Sequence, residues 1–337
     1  MSRAALRVLV AGATGTIGQA TVRALQRRGH EVICLLRPQS PDARQRWAQR
    51  LGGAQWCEAQ VTDAQSVQQA LAAHAPLDAV VSCLASRSGV PADAWAIDCQ
   101  AQRHLLAAGR AAGAGRFVLL SAICVQRPLL AFQQAKLAFE RELQASGLGW
   151  SIVRPTAFFK SLSGQIERVR RGKAFLVFGD GHVTACKPIS DDDLGDYLAA
   201  CVDDPALQNR VLPIGGPGPA LTPLQQGQLL FDALGQPPRF RRVPVALLDA
   251  IIAVLRALSW VWPPLAAKAE LARIGRYYAT ESMLVWDAAV GRYDAAATPE
   301  TGTQTLAQHY AAVLRGEARV DLGDHAVFGK DGGRYRD

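Results

Sequence analysis

The strongest constraint on this chain lies near its start, in the run VLVAGATGTIG at residues 8–18. Apolar residues lead without a break into a glycine-rich turn, and a helical pattern follows over residues 17–28. An unbroken apolar run is the pattern of a parallel strand buried on both faces. The glycines answer three needs: a tight turn, close approach of backbone to a pyrophosphate, and a helix packed closely on a strand. The helix N-terminus behind them offers unpaired N–H groups and partial positive charge to an anion. Gly12, Thr14, Gly15, Thr16, Ile17 and Gly18 are therefore the candidate dinucleotide-binding residues.

Further strands are expected at residues 31–36, 54–58, 78–84, 116–120, 150–153 and 211–214, with helical patterns between them. Strands alternating with helices specify an α/β chain with a Rossmann-like, doubly wound parallel sheet. The pattern assigns residues 1–159 and 185–216 to a dinucleotide-binding domain. Residues 160–184 and 217–320 form a smaller, mainly C-terminal substrate-binding region, and 321–337 form a glycine-rich, charged tail expected to fray. The spacing G-x-x-G-x-x-G resembles the extended and atypical short-chain dehydrogenase/reductases.

Arg37 follows the second strand, at the position that decides the cofactor. An acid there would bind a ribose 2′-hydroxyl, whereas an arginine accommodates a 2′-phosphate, so NADPH is expected rather than NADH; Arg44 could share the role. Gln60 stands where related reductases usually carry an aspartate for the adenine, and Asp63 reads as a helix cap. Cys83 and Leu84, at the end of the fourth strand, are expected beneath the cofactor, because such folds bind ligands at the carboxyl ends of strands.

Other chemistries are disfavoured. The net charge of +8 comes from scattered Lys and Arg, with no basic arm and no helix-turn-helix or zinc-finger pattern. Nucleic acid is therefore not expected, and a cleft for anionic small molecules accounts for the sign. Seven cysteines form no C-x-x-C pair, and the first strand begins within a few residues of Met1. Those features point to a reducing cytoplasm without a targeting segment. Asp191, Asp192 and Asp193 cannot share one helix face, so they read as the acidic start of a helix, and no metal is expected. The apolar stretch 245–262 is too short and too charged to span a bilayer. A core or substrate-lining helix is favoured for it, with a surface helix touching a membrane through Trp260 and Trp262 as the alternative.

Conventional short-chain reductases use a serine, a tyrosine and, four residues on, a lysine. Here Ser121 ends the fifth strand and Lys136 lies on the next helix, but the position four before Lys136 is Phe132. A phenyl ring has no proton to donate. Either Lys136 serves only the cofactor, or it donates the proton, or the reaction needs no acid at an oxygen. A carbonyl reductase must stabilise a developing alkoxide. An alkene conjugated to a large π system spreads its charge instead, so the missing tyrosine favours alkene reduction.

Several longer strings carry a more specific resemblance: VVSCLASR at 80–87, FVLLSAICVQ at 117–126, VRPTAFFKSL at 153–162, KPIS at 187–190 and IGRYYATESML at 274–284. Together they resemble the NADPH-dependent divinyl chlorophyllide 8-vinyl reductases of plants and phototrophic bacteria. The resemblance runs from about residue 8 to 310. It implies reduction of the 8-vinyl group of a divinyl chlorophyllide or protochlorophyllide to ethyl, in chlorophyll or bacteriochlorophyll synthesis. Plant members carry a chloroplast transit peptide, so a chain without one is expected to be bacterial and cytoplasmic, with a peripheral contact to a photosynthetic membrane left open.

The resemblance also implies roles for residues. Lys136 and Ser121 are the catalytic candidates, Lys136 also binding the nicotinamide ribose, and Pro155 and Thr156 shape the nicotinamide pocket. Phe158, Phe159 and Tyr277 stack on the tetrapyrrole, and its free propionate meets Lys160, Arg273 or Arg276. His182 as a magnesium ligand is outweighed by an ordinary turn histidine. Two rivals remain: a reductase of another conjugated alkene or quinone, and a non-enzymatic NADP-sensing or pigment-protein assembly factor of the NmrA-like kind.

Overall fold

A computed structural model describes residues 4–318. The strands, in chain order, are β1 Arg7–Ala11, β2 Glu31–Leu36, β3 Gln55–Glu58, β4 Ala79–Ser82, β5 Arg116–Leu120, β6 Gly149–Pro155, β7 Phe175–Phe178, β8 Arg210–Ile214, β9 Phe240–Val243, β10 Val285–Asp287 and β11 Arg292–Asp294. Seven of them form one parallel sheet in the order β3-β2-β1-β4-β5-β6-β8. The order reverses direction between β1 and β4, the switch point at which such sheets bind ligands.

Alternation along the strands divides the core into two layers. Val8 and Val10 face the helices Thr16–Arg27 and Asp191–Asp203, whereas Leu9 and Ala11 face Ala64–Ala72, Gln102–Ala111 and Ala131–Gln144. Both faces being covered is why these strands read as unbroken apolar runs. Each fully buried Leu or Phe contributes about 1.5–3 kcal/mol to this arrangement.

The local signals behave as their chemistry dictates. Asp63 caps its helix by accepting from the amides of Gln65 and Ser66. The three consecutive acids take three separate partners: Asp192 pairs with Arg23, Asp193 accepts from the amides of Thr303 and Gln304, and Asp191 faces Thr16. The cap itself is Ser190, whose hydroxyl accepts from the Asp193 amide.

Beyond the sheet, a second core gathers Phe159, Val169, Phe175, Phe231 and Tyr310. β7 and β9 pair in parallel and tie the basic insertion to the C-terminal region, a contact that short apolar runs far apart in sequence do not announce. The sequence reading of 245–262 requires correction. The helix Val245–Ser259 packs on Leu265–Thr280 but buries only Ile252 of its own residues. Leu247, Val254 and Leu258 are about half exposed, and Trp260 is 93% exposed, so this segment is neither core nor cavity wall. The helix is apolar on nearly every side, so its pattern could not indicate which side a neighbour covers. The expectation for residues 321–337 lies outside the described residues.

Candidate active site

The glycine turn is dictated by two close approaches. Gly12 has φ +78°, and a Cβ there would lie 2.8 Å from the Cys83 carbonyl carbon at the end of β4. A Cβ on Gly18 would lie 2.1 Å from the Gly12 carbonyl oxygen. Both positions therefore exclude side chains for reasons of packing. Gly15 differs: it is the N-cap of the helix Thr16–Arg27, and a Cβ there meets only the Gly12 oxygen, at 3.4 Å. No side chain caps this helix, and Gly15, Thr16, Ile17 and Gly18 line a cavity of about 610 Å³. An uncapped helix N-terminus opening into a cavity has the donors and partial positive charge that can hold a phosphate.

The cavity lies over the C-terminal ends of the sheet strands and is closed by residues 158 and 160–162, residues 184–186 and the helix Leu265–Thr280. Cys83, Pro155 and Thr156, the residues expected near the nicotinamide, line it. Thr14 and Leu84 do not; the Thr14 carbonyl accepts from Gln19 Nε2, and Leu84 packs against the core. Arg37 is exposed at the end of β2, outside the cavity wall, and Arg44 makes a two-pronged pair with Glu58.

Lys136 and Phe132 sit one turn apart on the helix Ala131–Gln144, and both line the cavity. The Lys136 ammonium lies 2.9 Å from Asp98 Oδ1, and Ser86 Oγ donates to Asp98 Oδ2 at 2.6 Å. Asp98 was missed by sequence reasoning. A signal existed: Ala94, Asp98, Ala101 and Leu105 fall on one buried helix face, and an acid there demands a partner.

Ser121 reaches the cavity wall, but its hydroxyl donates to Glu140 Oε1 at 2.5 Å, and Glu140 in turn pairs with Arg154. A hydroxyl has one proton to give. This one is committed to a buried carboxylate, which argues against Ser121 as the catalytic residue it was expected to be. Burial pushes the Cys83 and Cys186 thiols in the same wall up to about 12, so both stay protonated and non-nucleophilic. The Tyr278 phenol, also in the wall, is raised well above its ordinary value by burial.

The expected substrate residues separate into two groups. Phe158 and Lys160 line the cavity. Phe159 is buried with its ring 5.0 Å from that of His309, and Tyr277 is buried with its hydroxyl donating to the Cys124 and Arg127 carbonyls. Neither faces the cavity, so neither can stack on a ligand there. Arg273 pairs with Glu270 and donates to the Leu129 carbonyl, while Arg276 pairs with Asp249 on the neighbouring helix; both lie outside the wall. His182 is an exposed turn residue whose amide donates to Asp180, and no cluster of metal-ligating side chains occurs among the described residues.

Comparison with known proteins supplies the family. A family model described as NAD(P)H-binding matches residues 12–205, so this is an NAD(P)H-binding chain. The chain is 49% identical over 334 residues to the chloroplastic divinyl chlorophyllide a 8-vinyl-reductase of Oryza sativa subsp. indica, covering 95% of this chain and 82% of that protein. It is 46% identical over 331 residues to the Arabidopsis thaliana enzyme of the same name, covering 95% and 79%. Among solved structures, AtPrR2 with NADP+ and (+)pinoresinol shares the fold, with a TM-score of 0.67 at 20% identity over 92% of this chain and 99% of that one. These relatives overturn the expectation of a bacterial cytoplasmic protein, because they are chloroplastic enzymes of plants. With sequence identity of this extent reaching through the C-terminal region, the chain belongs to the divinyl chlorophyllide a 8-vinyl-reductase family.

Proposed function

We propose that this protein reduces the 8-vinyl group of divinyl chlorophyllide a, or of its protochlorophyllide precursor, to ethyl. The observation that carries the reading is identity of 46–49% over 95% of the chain with enzymes of that name, extending well beyond the cofactor domain. The cavity chemistry supports it. Phe132 replaces the usual tyrosine and the Ser121 proton is turned to Glu140, so the serine–tyrosine pair by which conventional short-chain reductases stabilise an alkoxide is absent.

NADPH supplies the hydride. The N-terminus of the helix Thr16–Arg27 would hold its pyrophosphate, Arg37 its 2′-phosphate, and Lys136 its nicotinamide ribose, with Cys83, Pro155 and Thr156 forming the floor. Phe158 and Tyr278 offer ring faces or edges to a flat macrocycle, and Lys160 offers a cation to its propionate. In this reading residues 1–159 and 185–216 serve the cofactor, and 160–184 and 217–320 the substrate.

A reductase of another alkene or quinone, or a non-enzymatic NADP-binding factor, would share the cofactor domain. Neither explains the identity over the substrate region. The deciding measurement is the Soret band of divinyl chlorophyllide a incubated with the protein and NADPH. A blue shift is expected; an unchanged band, with folded protein that binds NADPH, overturns the reading.

A membrane contact is part of the same proposal. Leu247, Val254 and Leu258 of the helix Val245–Ser259, with Trp260 and Trp262, are exposed, and so are Arg239, Arg241 and Arg242 just before the helix, Arg256 on it and Lys268 on the next helix. Aromatic and aliphatic side chains flanked by cations match an anionic lipid surface. No helix among the described residues is long and apolar enough to cross a membrane.

A further inference from the structure

The reaction proposed above leaves one atom unassigned. A hydride reaching the terminal vinyl carbon places negative charge on the carbon attached to the macrocycle, and that carbon must then gain a proton. Hydride and proton together convert C=C to CH–CH, with the two electrons coming from the nicotinamide. Phe132 cannot give the proton, and Ser121 directs its own into the core. Among the proton-bearing groups of the wall, which include the Lys160 ammonium and the Tyr278 phenol, the Lys136 ammonium is distinguished by its partner, a buried carboxylate.

Asp98 lies on a wide π-helical turn, Trp95–Ala101, inserted between the helical segments Pro91–Ala94 and Gln102–Ala111. Such turns are uncommon and occur frequently at functional sites. The Asp98 side chain is completely buried, and each of its oxygens is occupied. Oδ1 meets Lys136 Nζ at 2.9 Å and the Ser86 amide at 3.4 Å, and Oδ2 meets Ser86 Oγ at 2.6 Å. An ammonium enclosed by apolar walls requires an anion beside it, and a carboxylate fixed from three sides cannot swing away.

We propose, building on the alkene-reductase reading, that Asp98 is the positioning residue of proton delivery. It holds the Lys136 ammonium at the cavity wall so that one N–H can pass to the substrate carbon next to the macrocycle. The N–H bond breaks as the C–H bond forms, the nitrogen retains the electron pair, and the resulting amine is reprotonated from solvent. Ser86 keeps the carboxylate in register.

Asp98→Asn removes the charge while keeping the shape. The expected result is a fall in kcat of at least about 100-fold, in the range of general acid catalysis, with the NADPH Kd and the substrate KM within about threefold of the native values. A solvent deuterium isotope effect on kcat should grow in the variant, and Asp98→Glu should recover at least tenfold of the lost rate. Native kcat in Asp98→Asn, or a loss confined to melting temperature and NADPH binding, overturns the proposal. A second measurement needs no turnover: labelling of Lys136 by an amine-reactive probe, read by peptide mass spectrometry. It should be at least tenfold faster in Asp98→Asn, because the amine is freed from its carboxylate, and equal labelling overturns the proposal. If that variant does not fold, Ser86→Ala takes its place, with about a tenfold loss of kcat expected at unchanged NADPH Kd and an unchanged kcat overturning the idea. Failure of the native protein to turn over divinyl chlorophyllide a would count against the substrate alone, since the labelling result stands apart from it.

Discussion

Tyr277 and Tyr278 are adjacent in the chain and their rings meet edge to face with centroids 5.7 Å apart, yet they have different surroundings. Tyr277 is buried and bonds the Cys124 and Arg127 carbonyls; Tyr278 faces the cavity. Neighbours on an α-helix point about 100° apart, so only one of the two can reach a ligand. Tyr277→Phe should therefore lower stability by about 1–2 kcal/mol, the cost of a lost hydroxyl and two underused carbonyls, read as a lower denaturation midpoint with KM unchanged. Tyr278→Ala should do the reverse, raising KM for the tetrapyrrole about three- to tenfold, as expected for a lost aromatic contact.

The glycine turn makes a paired prediction. Gly15→Ala places a methyl group in the cavity in front of the helix N-terminus, where it meets only the Gly12 oxygen at 3.4 Å. Fluorescence titration should show NADPH binding weakened about tenfold or more, equal to about 1.4 kcal/mol, with little change in melting temperature. Gly18→Ala places its methyl 2.1 Å from the Gly12 oxygen, so something must shift. Its cost should appear first in stability, at about 1–3 kcal/mol.

Ser121→Ala separates alkene reduction from carbonyl reduction. The hydroxyl bonds Glu140, which keeps Arg154 as a second partner. The variant should retain kcat within a few-fold and lose about 1 kcal/mol of stability. A loss of two orders of magnitude in steady-state assays would return Ser121 to the role of donor.

The exposed apolar face predicts a lipid preference. The native protein should sediment with vesicles containing phosphatidylglycerol more than with phosphatidylcholine alone. The double substitution Trp260→Ser and Trp262→Ser should reduce that binding at least tenfold while leaving kcat on detergent-dispersed substrate unchanged. Equal binding by both proteins would remove the lipid contact.

Much of the fold was legible in the residues. β2 and β5 fall where the apolar runs placed them, because a strand buried on both faces has nowhere to put a polar side chain. The caps were legible for a related reason: Asp63 bonds backbone groups two and three residues away, so its partners are local. The site was legible only in part. Lys136, Phe158 and Lys160 line the cavity, but Arg273, Arg276, Phe159 and Tyr277 do not. A string shared with a family says that residues matter and leaves open which of them face the ligand.

By itself the sequence determined the α/β sheet, the dinucleotide turn and the family, because each rests on short-range pattern or on identity along the chain. Tertiary structure alone decided that Asp98 stands against Lys136, that the Ser121 proton goes to Glu140, and that the helix Val245–Ser259 lies on the surface. Those outcomes are contacts between residues distant in the chain. A side chain carries its chemistry in its identity, but the direction it faces is set by whatever packs beside it.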